Sequence, residues 1–162
     1  MEENGRRSGD MLTRLMELPA ETLPEGVRIV RALALDKGKV LDFVRENFGE
    51  GWLGECEAAL LHQPSGCYIA IRNRQVIGFA CYDATAPDFF GPIGVAGEER
   101  GKGVGAALLV RTLRAMREQG YVYAVIGWVD DAAPFYRKFL GAEFIDGGGP
   151  EHSIFRDRIE AV

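Results

Sequence analysis

The stretch that most constrains this chain runs from Phe89 to Tyr121: a short apolar strand, an acidic turn, a glycine cluster and a long amphipathic helix. Its centre reads Pro92-Ile93-Gly94-Val95-Ala96-Gly97-Glu98-Glu99-Arg100-Gly101-Lys102-Gly103-Val104-Gly105, and a helical pattern begins at Ala106. Glycines at 101, 103 and 105 leave backbone N–H groups uncovered by side chains, and glycine accepts the φ values such a loop needs. The helix that follows brings unpaired N–H groups and the positive end of its dipole. Arg100 and Lys102 add full positive charges beside them. Together these groups make a phosphate cradle.

Three kinds of cradle differ in what they require. A Walker A loop places Ser or Thr after its Gly-Lys pair; here Gly103 follows Lys102, so the hydroxyl that would hold magnesium is absent. A dinucleotide fingerprint is matched literally by Gly101-x-Gly103-x-x-Ala106, but it also wants an acidic residue at the end of the next strand and further βα units. Asp130 serves that role poorly, and the chain after it is too short for a doubly wound sheet. The third kind fits. Arg100-x-x-Gly103-x-Gly105, with the strand before it, the helix after it and a later Pro134-Phe135-Tyr136-x-x-x-x-Gly141-Ala142 segment, resembles motif A and its surroundings in the GNAT superfamily of acyl-CoA-dependent N-acyltransferases. The resemblance covers roughly residues 27–158.

That resemblance implies an α/β (α+β) chain of GNAT fold, a central mixed, mostly antiparallel sheet of about six to seven strands flanked by about four helices. It implies acetyl-CoA as acyl donor, with CoA as product, and transfer of the acetyl group to a primary amine of a small molecule or protein by direct attack in a ternary complex. The edge groups of Ile93 and Val95 would pair with the pantetheine arm. The loop Arg100, Gly101, Lys102, Gly103, Val104, Gly105 and Ala106 would hold the pyrophosphate. The Val95 backbone N–H would stabilise the oxyanion and Tyr136 would protonate the leaving thiolate, unless Tyr136 only buries its ring. An Asn that many members carry seven residues before that Tyr is Val129 here, so that contact falls to backbone or to Asp130. With Val129 and no evident general base, a non-catalytic acyl-CoA sensor on the same fold is the alternative. Asp83, Asp88 and Glu55 are the base candidates. Trp52, Tyr82, Phe90 and Trp128 are candidates to line the acceptor site, and each also reads as core.

Elsewhere the pattern is plainer. Residues 1–25 read as a polar tail and a short helix, in which Asp10 caps Met11, Leu12, Leu15 and Met16 on one face before Pro19, and residues 26–162 as the acetyltransferase domain. So short a helix must dock, either on its own domain or in a homodimer contact. Helices are expected from Asp36 to Phe48, over 54–62, after the cradle to Gly120, and from about 131 to 140. Strands are expected over 27–33, 67–72, 75–82, 89–95, 121–128, 141–145 and 153–159, with Asn73-Arg74 as a hairpin turn.

Composition narrows the partners. A net charge of −5 disfavours nucleic acid, and no apolar run reaches the length of a membrane span. Cys56, Cys67 and Cys81 form no CxxC pair and read as reduced, apolar thiols, with no metal site expected and a cytoplasmic location.

Overall fold

The computed structural model describes residues 7–159. In chain order its elements are β1 (Gly9–Arg14), β2 (Arg28–Arg31), α1 (Lys37–Phe48), α2 (Glu50–Leu60), β3 (Cys67–Arg72), β4 (Gln75–Tyr82), β5 (Phe89–Val95), α3 (Val104–Gln119), β6 (Tyr123–Val129), α4 (Ala133–Leu140) and β7 (Glu143–Phe144). The strands form one seven-stranded sheet in the order β2-β3-β4-β5-β6-β1-β7. Only β5 and β6 run parallel; the other neighbours are antiparallel. The mixed sheet and its four helices are those the sequence predicts.

Strand alternation sorts the side chains into two cores. Tyr68, Ala70 and Ala80 join α3 and α4 on one face, while Cys67, Ile69, Phe79 and Cys81 join α1 and α2 on the other. Helix α3 buries Leu108, Leu109, Thr112, Leu113 and Met116, as its periodicity requires. It lies close on β4 because Gly78 has no side chain: a Cβ there would sit 2.9 Å from Leu108 Cδ1. The helix ends at Gly120 (φ 112°), where Gly120 N donates to Arg117 O and Tyr121 N to Met116 O, a Schellman closure.

The β3–β4 turn is the one expected: Asn73 and Arg74 both take left-handed φ, 50° and 63°, matching the twist of the strands they join. Strand β5 behaves differently along its length. Phe89 and Phe90 pair with Val125 and Ile126 of β6, and the pairing stops there. On the β4 side, Phe90 faces Tyr82 and Ile93 faces Ala80, so two residues, Gly91 and Pro92, stand opposite one. Proline has no N–H to give a ladder, and such a bulge bends its strand. Beyond it, β5 stays with β4 and leaves β6.

Three expectations need correction. Gly9–Arg14 is a strand between β6 and β7, not a helix. Met11, Thr13 and Leu15 point inward and Leu12 and Met16 outward, so the two exposed apolar residues had completed a false helical stripe. Residues 153–159 form turns and no strand; β1 fills the place beside β6, and only Glu143–Phe144 extends the sheet beyond it. Helix α2 begins at Glu50, so Trp52 lies in its first turn rather than in a connection, the break from α1 being confined to Gly49 (φ 91°).

Arg111 and Arg114, on the outward face of α3, are ion-paired. Glu21 accepts from Arg111 Nε and Nη2, both at 2.9 Å, and from Arg114 Nη1 at 3.1 Å, pinning the segment between β1 and β2 to α3. The guanidiniums keep 32% and 35% of their side-chain surface in solvent, so the loss on removing Glu21 stays below the 3–5 kcal/mol of a fully buried pair. Glu21→Ala is expected to cost about 1–2 kcal/mol. Urea unfolding should report this as a lower midpoint with unchanged slope.

Candidate active site

Where β5 leaves β6 a cleft of about 990 Å³ opens. Ile93, Val95, Ile126, Trp128 and Val129 line it from the two strands, Phe48, Trp52 and Glu55 from α1 and α2, Phe135 and Tyr136 from α4, and Phe155 and Arg158 from the C-terminal turns, with Arg100 also on its lining.

The parted strand leaves backbone groups without a neighbour. Ala96 N donates to Ile77 O, and the register pairs Val95 with Gly78 and Ile93 with Ala80. By antiparallel alternation those two pairs are the non-hydrogen-bonded kind, so the N–H and C=O of Ile93 and Val95 point away from β4, toward the side that β6 has vacated. Arg100 Nε donates to Val95 O at 3.1 Å, satisfying that carbonyl from the protein's own cradle and leaving the N–H of Val95 on the same edge.

The cradle is built around Glu99. This carboxylate is buried and takes a bidentate contact from Arg72 (3.1 and 3.3 Å), with Lys102 Nζ 3.6 Å away. A single 3-10 turn over Gly97–Glu99 is thereby fixed to β3. Gly101 (φ 75°) and Gly103 (φ 89°) then take left-handed φ and swing the chain into α3. Gly105 does not need it; it lies in the first helical turn, and its missing Cβ would meet only Val95 Cγ2 at 3.7 Å and Phe135 Cζ at 3.9 Å. Helix α3 has no side-chain cap, so its first N–H groups are open to an anion. Val104 is packed in the core and can offer only its backbone, while Ala106 follows on the same turn.

Tyr136 is 5% exposed, its ring edge-on to Phe90 and Phe135 at centroid distances of 6.3 and 5.2 Å. Burial holds its phenol well above the usual tyrosine pKa, so the hydroxyl stays a proton donor. Trp52 serves both of its readings: its ring stacks on Phe48 at 5.1 Å and stands edge-on to the core ring of Phe79, yet it lines the cleft and is 38% exposed. Phe90 and Trp128 are in the cleft as well. Tyr82 is not. It is buried beside a separate recess of about 360 Å³, where its hydroxyl accepts from Arg31 Nη1 at 3.0 Å.

Of the three candidate bases only Glu55 lines the cleft, and Thr85 Oγ1 donates to its carboxylate. Asp83 ties the β4–β5 connection together, accepting from Asp88 N, Tyr121 Oη and Gln119 Nε2. Asp88, its carboxyl raised by burial and by Asp83, also lies off the cleft lining.

The least legible component is Asp10. It is buried, and its Oδ1 accepts from Trp128 N at 2.9 Å and from Ser153 Oγ at 3.3 Å. One carboxylate thus holds the left-handed Trp128 (φ 47°) and draws the C-terminal turns over the cleft. Those turns seat Phe155 against Gly127, where a Cβ would come within 2.8 Å of the ring. Phe48, Thr85, Phe155 and Arg158 were likewise not marked by any local motif, because the fold alone brings them together.

Residues 36–142, well over half of the chain, match the model of the acetyltransferase (GNAT) family. The chain belongs to the GNAT family. No curated protein matches the sequence. Among solved structures, a GCN5-related N-acetyltransferase from Sphaerobacter thermophilus is similar over 88% of this chain and 51% of its own length, at 23% identity and a TM-score of 0.67. A glucosamine N-acetyltransferase region of a fungal multi-domain GH3 β-N-acetylglucosaminidase is similar over 87% of this chain and 20% of its own, at 16% identity and TM-score 0.66. A GNAT acetyltransferase from Colwellia psychrerythraea is similar over 86% and 53%, at 14% identity and TM-score 0.62. At such identities the likeness is one of fold, and the chain spans about half of these relatives' length or less. No helix of the described residues is long and apolar enough to cross a membrane.

The Asp10 contact generates a test. Asp10→Ala leaves the part-buried amide of Trp128 without its acceptor and releases Ser153, and is expected to cost about 1–2 kcal/mol. In a Trp52→Phe background the remaining tryptophan is Trp128, since the chain has two, and its emission should shift toward that of a solvated indole.

Proposed function

We propose that this GNAT protein is an N-acetyltransferase that moves an acetyl group from acetyl-CoA to a primary amine by direct attack in a ternary complex. The observation that carries the reading is the meeting, in one cleft, of the edge of β5 that β6 leaves, Arg100 before uncapped α3 and the buried hydroxyl-bearing ring of Tyr136.

The residues fit an acyl-CoA. Gly101, Lys102, Gly103, Val104, Gly105 and Ala106 offer backbone N–H groups to a pyrophosphate, with Arg100 and Lys102 neutralising it. Ile93 and Val95 offer an extended arm a strand edge. When bound, acetyl-CoA supplies an activated thioester carbonyl. The Val95 N–H is the backbone donor for charge developing on that carbonyl oxygen, and Tyr136 keeps its proton available for the departing sulfur. Glu55, oriented by Thr85, is the carboxylate placed to take a proton from an incoming ammonium. The aromatic lining of Phe48, Trp52, Trp128 and Phe155 favours an amine carried on an apolar body.

Two substitutions test this reading. Gly105→Ala needs no left-handed φ and its Cβ meets only ordinary contacts in the fold, yet it places a methyl group in the cradle. It should retain its unfolding midpoint within a few degrees while weakening CoA binding, measured by calorimetry, by at least about tenfold. Unchanged affinity would remove the cradle from the reading. Tyr136→Phe should keep CoA affinity within about twofold and lower kcat about a hundredfold. The sign of the pH dependence follows from its raised pKa: the acid form is lost only as pH passes above that value. No alkaline limb due to Tyr136 is therefore expected below about pH 10, where an ordinary tyrosine begins to ionise. An acetylation rate indifferent to the substitution would assign the protonation elsewhere.

A further inference from the structure

Cys56, Cys67 and Cys81 come from α2, β3 and β4, and their three sulfurs lie within 4.8 Å of one another. Each residue is fully buried. Cys67 and Cys81 oppose one another across the two strands, and Tyr82 N donating to Gly66 O makes theirs a non-hydrogen-bonded position, where side chains approach most closely. Helix α2 lays Cys56 over that pair. A triangle of sulfurs with sides no longer than this encloses a point no more than about 2.8 Å from each, and about half an ångström of closure at each sulfur would reach the ~2.3 Å of a zinc–thiolate bond.

We propose that Cys56, Cys67 and Cys81 form a closed three-sulfur site for a thiophilic metal ion, tying the acceptor-side helix α2 to β3 and β4. Thiolate ligands select zinc and Cu(I) over the hard cations. The chemistry balances without a redox partner: a divalent ion bound by three thiolates releases three protons and leaves one net negative charge. The neighbours are apolar, Val44, Ala59, Leu60 and Phe79 among them, so that single charge, shared over three sulfurs, is a cost the metal–thiolate bonds must outweigh. Cys56 adjoins Glu55 and lies one turn beyond Trp52, so the ion would fix the helix that carries both into the cleft. This site stands independently of the acetyl-transfer reading, since none of its ligands lines that cleft.

The test uses the whole chain purified under reducing conditions, with Cd2+ as probe. The protein is refolded with and without one equivalent, so that burial does not block entry. Expected are one bound Cd2+ per chain, a thiolate-to-cadmium absorption band in the ultraviolet, and an unfolding midpoint raised by several degrees. The band and the shift should vanish in Cys56→Ala and in Cys81→Ala, while CoA binding at the cradle persists in any of these that folds. Absence of the band in the refolded wild-type chain would overturn the proposal whatever the variants do. So would a Cys67–Cys81 disulfide in the protein as isolated without reductant, or a band that survives loss of Cys56.

Discussion

The structure depends on a sheet that is not allowed to close. Buried backbone groups are almost always paired, so a gap in the middle of a sheet must be enforced by something the chain cannot repair. Here the enforcement is local: Gly91 and Pro92 put two residues of β5 opposite one of β4, and proline withholds an N–H at the bend. Four residues of contact carry β5 and β6 as partners, and past them the strands part. The edge of Ile93 and Val95 then faces open space, and the protein answers half of the resulting need itself by sending Arg100 to Val95 O. The same guanidinium that binds the edge belongs to the cradle, so the opening and the anion site are one construction.

Holding that construction still requires anchors outside the cleft. The turn before α3 would be free to swing on Gly101 and Gly103 if Glu99 did not bind Arg72 of β3 from a buried position. The other end of the problem is the far wall, where Asp10 of β1 reaches Trp128 and Ser153. Both anchors are buried carboxylates with fully directed hydrogen bonds, and a buried charge persists only where its partners are arranged around it. They connect the cleft to the first strands of the chain and make its shape a property of the whole sheet.

Sequence reading recovered what is encoded locally. The limits of β3, β4 and β5 were legible to the residue because the Asn73-Arg74 turn and the connection from Asp83 to Asp88, with Pro87, punctuate strong β patterning. The turn into α3 was legible because Gly101 and Gly103 serve left-handed φ values rather than packing. The N-terminal strand was not, since Leu12 and Met16 lie on its exposed side and disguised an alternation of Met11, Thr13 and Leu15. Glu55 could not be separated from Asp83 and Asp88 without knowing that α2 begins at Glu50 and faces the cleft. Asp10 and Phe155 lie more than a hundred residues apart, and the link between their two segments, Ser153 Oγ to Asp10 Oδ1, has no sequence signature.

The charge distribution gives the cleft a direction. The chain is acidic overall, at −5, yet its cradle presents Arg100 and Lys102 with the uncapped end of α3. Elsewhere the cleft's lining carries the carboxylates Glu55, Asp130 and Asp131 and the cation Arg158. An anion and a cation entering together are therefore drawn to different parts of one opening, each toward the group that neutralises it. Under the proposed reaction this separates donor from acceptor before any catalytic group acts. It would also orient the amine, its charged end toward the carboxylates and its apolar remainder against Phe48, Trp52 and Phe155. Orientation of that kind supplies a large share of the rate advantage available to a direct transfer, since a pair of reactants held in line has already given up the freedom that a collision in water must lose.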